Sequence, residues 1–218
     1  MDSITAYGMV ISSMPIGEYD RRLEILTGDF GKISVFARGA RKPSSPLVSL
    51  SRPFAFGEFQ LFQGKSSYSV SSAKISNYFT ELSKDIELTY YGSYFLELAR
   101  YFCREAVPAL SELKLLYQSL RALCSEKFEN RLVRAVFELK LLEIQGLAPQ
   151  AEYISNERSI RGGTRFAYNF VLNASLEKLF TFRLSEEVLE EFADICAALM
   201  AQSTQREFNS LNLLETLV

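Results

Sequence analysis

The hydrophobic period of the chain changes near residue 78. Before that point, apolar residues come in short alternating runs broken by turn residues. After it, they recur at helical spacing. A period of two puts alternate side chains on opposite faces of a strand, and a period near 3.6 builds one apolar stripe on a helix. The pattern predicts an α+β chain: a small antiparallel β-barrel over residues 1–78, then a mostly α-helical part over 79–218.

Strands are expected at 4–12, 20–27 and 32–37. Ser13–Gly17 is read as a loop, and Gly28-Asp29-Phe30-Gly31 as the turn of a hairpin. Gly39, Pro43, Ser44, Ser45, Pro46 and Pro53 make 38–53 a connecting loop. Strands resume at 54–62 and 67–75 around a turn at Gln63-Gly64-Lys65-Ser66. Five short strands in so little chain leave exposed edges unless the sheet closes, and the OB-fold is the common small barrel of that strand count.

Helices are expected over 78–105, 109–124, 130–145, about 186–202 and about 206–217. Pro108 ends the first, Gly146 stops the third in a left-handed conformation, and Ser185 caps the fourth. Residues 150–173 read as irregular or weakly stranded, with a turn at Gly162-Gly163. Tyr90, Tyr91, Tyr94, Phe95, Tyr101 and Phe102 are more rings than one helix face can bury. That predicts packing between domains or a partner groove.

The chain has no histidine, which removes Ser-His-Asp and Cys-His nucleophiles and every histidine-containing zinc site. It also has no phosphate-loop or dinucleotide fingerprint. Glu186/Glu187 and Glu190/Glu191 read as a solvated helix face. No enzymatic role, cofactor or metal is therefore expected. Cys103, Cys124 and Cys196 lie far apart without motif spacing, as reduced core residues of a cytoplasmic protein would. The start at Met1-Asp2-Ser3 does not resemble a signal peptide, and no apolar run is long enough to span a bilayer.

Charge divides along the same line as the hydrophobic period. Residues 1–80 hold nine Lys/Arg and six Asp/Glu, and residues 81–218 hold fifteen and twenty. Lys32, Arg38, Arg41, Lys42 and Arg52 follow one another with no acidic residue between. Alternation along 32–38 puts Lys32, Ser34, Phe36 and Arg38 on one face and Ile33, Val35 and Ala37 on the other. Cations beside an aromatic ring suit single-stranded nucleic acid, because the cations neutralise phosphates and the ring stacks on a base. Ordinary solvated charges around a hairpin are the alternative. Arg21 and Arg22 lie near Glu18, Asp20 and Glu24 and are expected to pair locally. Most of Phe54, Phe56, Phe59 and Phe62 are assigned to core or domain contacts.

Several ordered segments resemble bacterial RecO proteins. They are Gly17-Glu18-Tyr19-Asp20, then Leu26-Thr27-Gly28-Asp29-Phe30-Gly31-Lys32-Ile33-Ser34, then Ala37-Arg38-Gly39-Ala40-Arg41-Lys42-Pro43. Tyr94–Leu98, Phe137–Pro149 and Ser210–Leu214 extend the resemblance over nearly the whole chain. It implies an N-terminal OB-fold, a helical C-terminal domain and a recombination mediator rather than an enzyme. The implied partners are single- and double-stranded DNA, RecR, single-strand-binding protein and, indirectly, RecA, in a cytoplasmic, nucleoid-associated setting without a membrane. By position, the family's basic contacts fall on Lys32, Arg38, Arg41 and Lys42; Arg52 is added from the charge pattern. Many members carry a four-cysteine zinc site that Gln150–Phe170 cannot build, so no zinc is expected and 150–173 becomes a zinc-less insertion. A protein–protein adaptor whose barrel does not touch DNA is the competing reading.

Overall fold

The computed structural model describes residues 3–64, 67–157 and 159–217, without the side chains of 155–157. Two compact units divide the chain. One comprises the described part of Met1–Thr80 together with Leu96–Leu113. The other comprises Glu81–Phe95 and the described part of Lys114–Val218.

In the first unit, strands β1 (Ser3–Ile16), β2 (Asp20–Thr27), β3 (Gly31–Ala37), β4 (Phe56–Gln63) and β5 (Tyr68–Asn77) form a barrel closed in the order β1-β2-β3-β5-β4. All pairings are antiparallel except β3 with β5, where Val35 meets Tyr68 and Phe36 meets Ser69 in parallel. That short contact closes the sheet, as the OB-fold requires. Alternation fills the interior with Leu23, Ile25, Ile33, Val35, Phe59 and Leu61, all at most 1% exposed. Phe59 is completely buried, and truncating such a ring costs about 3–5 kcal/mol.

Two local expectations change here. Strand β1 runs through Ser13, Met14 and Pro15 instead of ending before them. Pro15 is tolerated because its stretch of β1 pairs only with β2, whereas the pairing with β4 ends at Met9. Within 38–53 a short helix, α1 (Leu47–Leu50), buries Leu47 and Leu50 against the barrel core. The turn read at Gln63-Gly64-Lys65-Ser66 includes Lys65 and Ser66, which lie outside the described residues.

The barrel is strapped to the chain segment that follows helix α2 (Ile86–Phe102). Lys32 N–H donates to the Arg104 carbonyl at 3.0 Å, Ala106 N–H to Phe30 at 3.1 Å and Ala109 N–H to Gly28 at 2.9 Å. Gly31 has φ of 66°, and a Cβ there would come within 2.2 Å of the Arg104 carbonyl oxygen. Only glycine satisfies both the left-handed backbone and the close approach.

The second unit holds most of α2, α3 (Leu110–Leu123) and α4 (Asn130–Ile144), then α5 (Ala151–Glu157), α6 (Gly162–Asn173), α7 (Glu186–Ser203) and α8 (Asn209–Glu215). Helix α4 ends as expected. Gly146 has φ of 70°, and Leu147 N–H reaches back to the Leu142 carbonyl at 2.8 Å. Ser185 occupies the N-cap position of α7, but its side chain makes no capping bond. The reading of 150–173 as irregular is corrected, because α5 and α6 occupy it and Gly162-Gly163 opens a helix. Thr164, Ala167, Tyr168 and Val171 are buried at helical spacing, and that packing outweighs the poor helix propensity of two glycines in the first turn.

Tyr91, Tyr94 and Phe95 are buried; Tyr94 meets Phe208 edge-on and Phe95 stacks on Phe137. Glu138 is 1% exposed, accepting from Tyr94 Oη and Arg134 Nε at 2.8 Å each, and its Oε2 has no hydrogen-bond partner among the described residues. Burial pushes its carboxyl above the ordinary value of 4.5, although Arg134 and Tyr94 pull the other way.

Candidate nucleic-acid interface

Strand pairing arranges one outward row across the barrel. Arg22 on β2 opposes Phe36 on β3, Phe36 opposes Ser69 on β5, and Ser69 opposes Phe62 on β4. Neighbours in this row share a face because paired residues point to the same side of a sheet. Phe36 and Phe62 line an open groove of about 730 Å³ with Ile16, Asp20, Arg38 and Ser69. This is the outer face of β3 between the β1–β2 and β4–β5 loops, the surface on which OB-folds bind oligonucleotides.

Two loops meet beside the groove. Arg41 N–H donates to the Tyr19 carbonyl at 2.8 Å, Arg41 Nη1 to the Gly17 carbonyl at 2.9 Å, and Gly39 N–H to Asp20 Oδ1 at 2.7 Å. The Lys42 ammonium lies 5.2 Å from the centre of the Tyr19 ring. These bonds draw the segment after β3 against the β1–β2 loop while Arg38, Arg41 and Lys42 stay exposed. Arg38 has no hydrogen bond or ion pair among the described residues.

Not every residue singled out from the sequence gathers there. Phe36, Arg38, Arg41 and Lys42 belong to the groove and its flanking loops. Lys32 is at the other end of β3, four residues from Phe36 and so about 13 Å along the strand. Its ammonium donates to the Arg100 carbonyl at 2.5 Å, near the end of α2. Arg52 is exposed in the turn after α1, and no side-chain bond among the described residues joins it to the groove.

Two residues of the outward row were set aside in the sequence reading. Arg22 forms no ion pair among the described residues; it is exposed and donates through Nε to Ser34 Oγ at 2.9 Å. The local pairing expected of Arg21 and Arg22 does not form. Glu24 is taken by Arg100 at 2.5 Å, and Arg21 donates to Ser13 Oγ. Phe62 is 40% exposed, unlike the buried Phe59 three residues before it. Alternation places Phe62 outside the barrel, and only the β4–β5–β3 register places it in a row with Phe36.

Other chemistry is sparse. No group of three or more Cys, Asp or Glu among the described residues could hold a metal ion. The three cysteines are free thiols. Burial pushes the Cys103 thiol up to about 12 and the Cys124 thiol up to about 11, which leaves both un-ionised and unreactive near neutrality. No described helix is long and apolar enough to cross a membrane.

A closed five-strand barrel with this groove, followed by a helical region, defines an OB-fold protein of α+β class. Residues 1–79 match the family model described as recombination protein O N terminal, and residues 83–171 match recombination protein O C terminal. The DNA repair protein RecO of Clostridium perfringens is 30% identical over 220 residues, covering 88% of this chain and 98% of that protein. RecO of Acetivibrio thermocellus is 27% identical over 246 residues, covering all of this chain and 98% of its own. RecO of Alkaliphilus metalliredigens is 34% identical over 146 residues, covering 67% of this chain and 59% of that protein. The chain belongs to the RecO family of DNA repair proteins.

Proposed function

We propose that this chain is a recombination mediator that binds single- and double-stranded DNA, anneals complementary strands and works without catalysis. In this reading it acts with RecR to help load RecA on DNA coated with single-strand-binding protein, in the cytoplasm at the nucleoid. Residues 1–78 act as the DNA-binding domain and 79–218 as the helical domain. The observation that carries the reading is the groove on the outer face of β3, where Phe36 and Arg38 lie next to the loop cations Arg41 and Lys42.

The mechanism is electrostatic. Cations on the barrel neutralise phosphates on two strands and lower their mutual repulsion. Stacking on rings leaves the pairing edges of bases open, so complementary strands can zip. With about four phosphates neutralised, log K for a single strand falls with log salt at a slope of roughly −3. Replacing both Arg38 and Arg41 with alanine is expected to flatten that slope in a fluorescence titration. The loading step is tested by annealing DNA coated with single-strand-binding protein, with and without RecR. No DNA binding at micromolar protein and low salt would replace this reading with that of an adaptor.

A further inference from the structure

We infer that Arg100, which does not line the groove, keeps Arg22 available to a DNA phosphate by taking Glu24 away from it. The inference rests on the proposed DNA-binding role of the barrel. It adds one contact, Arg22, and one positioning residue, Arg100.

Leu23 and Ile25 point into the barrel, so Asp20, Arg22 and Glu24 share the outer face of β2. Residues two apart on a strand are about 7 Å apart, within reach of an arginine side chain. Arg22 also leans toward Glu24. Its Nε donates at 2.9 Å to Ser34 Oγ, and Ser34 is the residue directly opposite Glu24. An arginine placed between two carboxylates at this spacing ordinarily pairs with one of them. Among the described residues Arg22 pairs with neither.

Both carboxylates are engaged elsewhere. Asp20 Oδ1 accepts the Gly39 N–H at 2.7 Å, and Glu24 Oε2 is bound by Arg100 Nε at 2.5 Å. The Arg100 charge cancels most of the pull that Glu24 exerts on a second cation. Arg22 is left exposed, opposite the groove residue Phe36, with four N–H donors unpartnered among the described residues.

Arg100 is fixed for this task. It lies in the last turn of α2, in the part of that helix that belongs to the barrel unit. Its carbonyl accepts the Lys32 ammonium, and the strap that follows is bonded to Gly28, Phe30 and Lys32. Lys32 is the diagonal neighbour of Glu24 on β3, so that bond commits the other cation close enough to compete for the carboxylate. Replacing the Arg100 side chain leaves its carbonyl, and so the Lys32 bond, in place. Glu24 then has Arg22 as its nearest uncommitted cation.

The test measures fluorescence anisotropy of labelled oligothymidylate with the full chain at several salt concentrations. One neutralised phosphate contributes about 0.7 to the salt slope, which is about fivefold in affinity at 0.1 M salt. Arg100→Ala is expected to lose about that much of each, and Arg22→Ala the same. The double variant should be no weaker than either single one, because both remove one contact. Glu24→Gln placed in the Arg100→Ala chain should return affinity and slope to those of the parent, since no carboxylate remains to hold Arg22. A merely structural role for Arg100 is not rescued in that way. Circular dichroism melts check folding, and Arg100→Met, which keeps the stem, replaces the alanine variant if that one unfolds. The inference is overturned if either single variant binds like the parent while Arg38→Ala/Arg41→Ala is weakened. It is also overturned if the two losses add, or if Glu24→Gln fails to rescue. If Arg38→Ala/Arg41→Ala changes neither affinity nor salt slope, the DNA-binding reading itself fails.

Discussion

The barrel core is built from residues such as Val10, Leu23, Ile33, Phe59 and Leu61, with no charged side chain among them. In the helical unit, Glu138 is 1% and Lys140 6% exposed. Glu138 is held by Arg134 and Tyr94, while Lys140 donates to the Leu172 carbonyl and pairs with Glu143 at 3.0 Å. The difference follows from geometry. A narrow closed barrel with strict alternation has room inside only for apolar side chains, so its charges are forced outward. Helices present a wider buried face, and a long charged side chain can be enclosed there if it finds partners. Barrel charges that no neighbouring segment engages, such as Arg38, are therefore available to a ligand, and the buried charges of the helical unit are committed to the fold.

The largest expected effect breaks the helical side of this contrast. Glu138→Ala leaves Arg134 mostly buried without its carboxylate and should cost about 3–5 kcal/mol in urea denaturation. DNA affinity of the folded fraction should not change. The opposite profile is expected of Arg38→Ala/Arg41→Ala. Its stability should fall by no more than about 1 kcal/mol, the one side-chain bond lost being that of Arg41 to the exposed Gly17 carbonyl. Its salt slope on single strands should flatten by roughly 1.4, two phosphates' worth.

Lys32 sharpens the contrast from within the barrel, because its ammonium is bonded to a helix-end carbonyl. Lys32→Ala should lower stability by about 1 kcal/mol and leave the salt slope nearly unchanged. A slope that flattens as much as for Arg38 would return Lys32 to the DNA-contacting set.

The smallest effect concerns pH. Burial raises the Glu138 pKa above 4.5 in the folded chain, so the folded state holds that proton more tightly than the unfolded state. Its contribution to stability is full below the ordinary value and is lost as pH rises from 4.5 through the raised folded pKa. Thermal melts of the parent and Glu138→Gln across that window should show the parent losing ground as pH rises. A difference in Tm that stays constant would mean that Arg134 holds the pKa at its ordinary value.

Much of the barrel was legible because its signals are local. Alternation at Ile33, Val35 and Ala37 marks the inward face of β3, and Gly28–Gly31 marks its turn. The cations of 38–42 were visible for the same reason. Helix α6 was missed although Thr164, Ala167, Tyr168 and Val171 carry the helical spacing. Gly162-Gly163 gave the stronger local signal, and the burial that overrides it depends on distant helices. Arg22 was misjudged because sequence neighbours stood in for spatial ones. Its acidic neighbour Glu24 pairs instead with Arg100, seventy-six residues away.

The sequence alone determined the class of fold, the place where strands give way to helices, the inward and outward faces of β3, and the family to which the chain is similar. Those properties depend on residues within a few positions of one another. Only the tertiary structure decided which outward residues stand together. The parallel contact of β3 with β5 brings Phe62 into a row with Phe36 and Arg22, and the last turn of α2 engages the Lys32 ammonium. Register between strands that are far apart in sequence is set by closure of the barrel as a whole, and no local pattern encodes it.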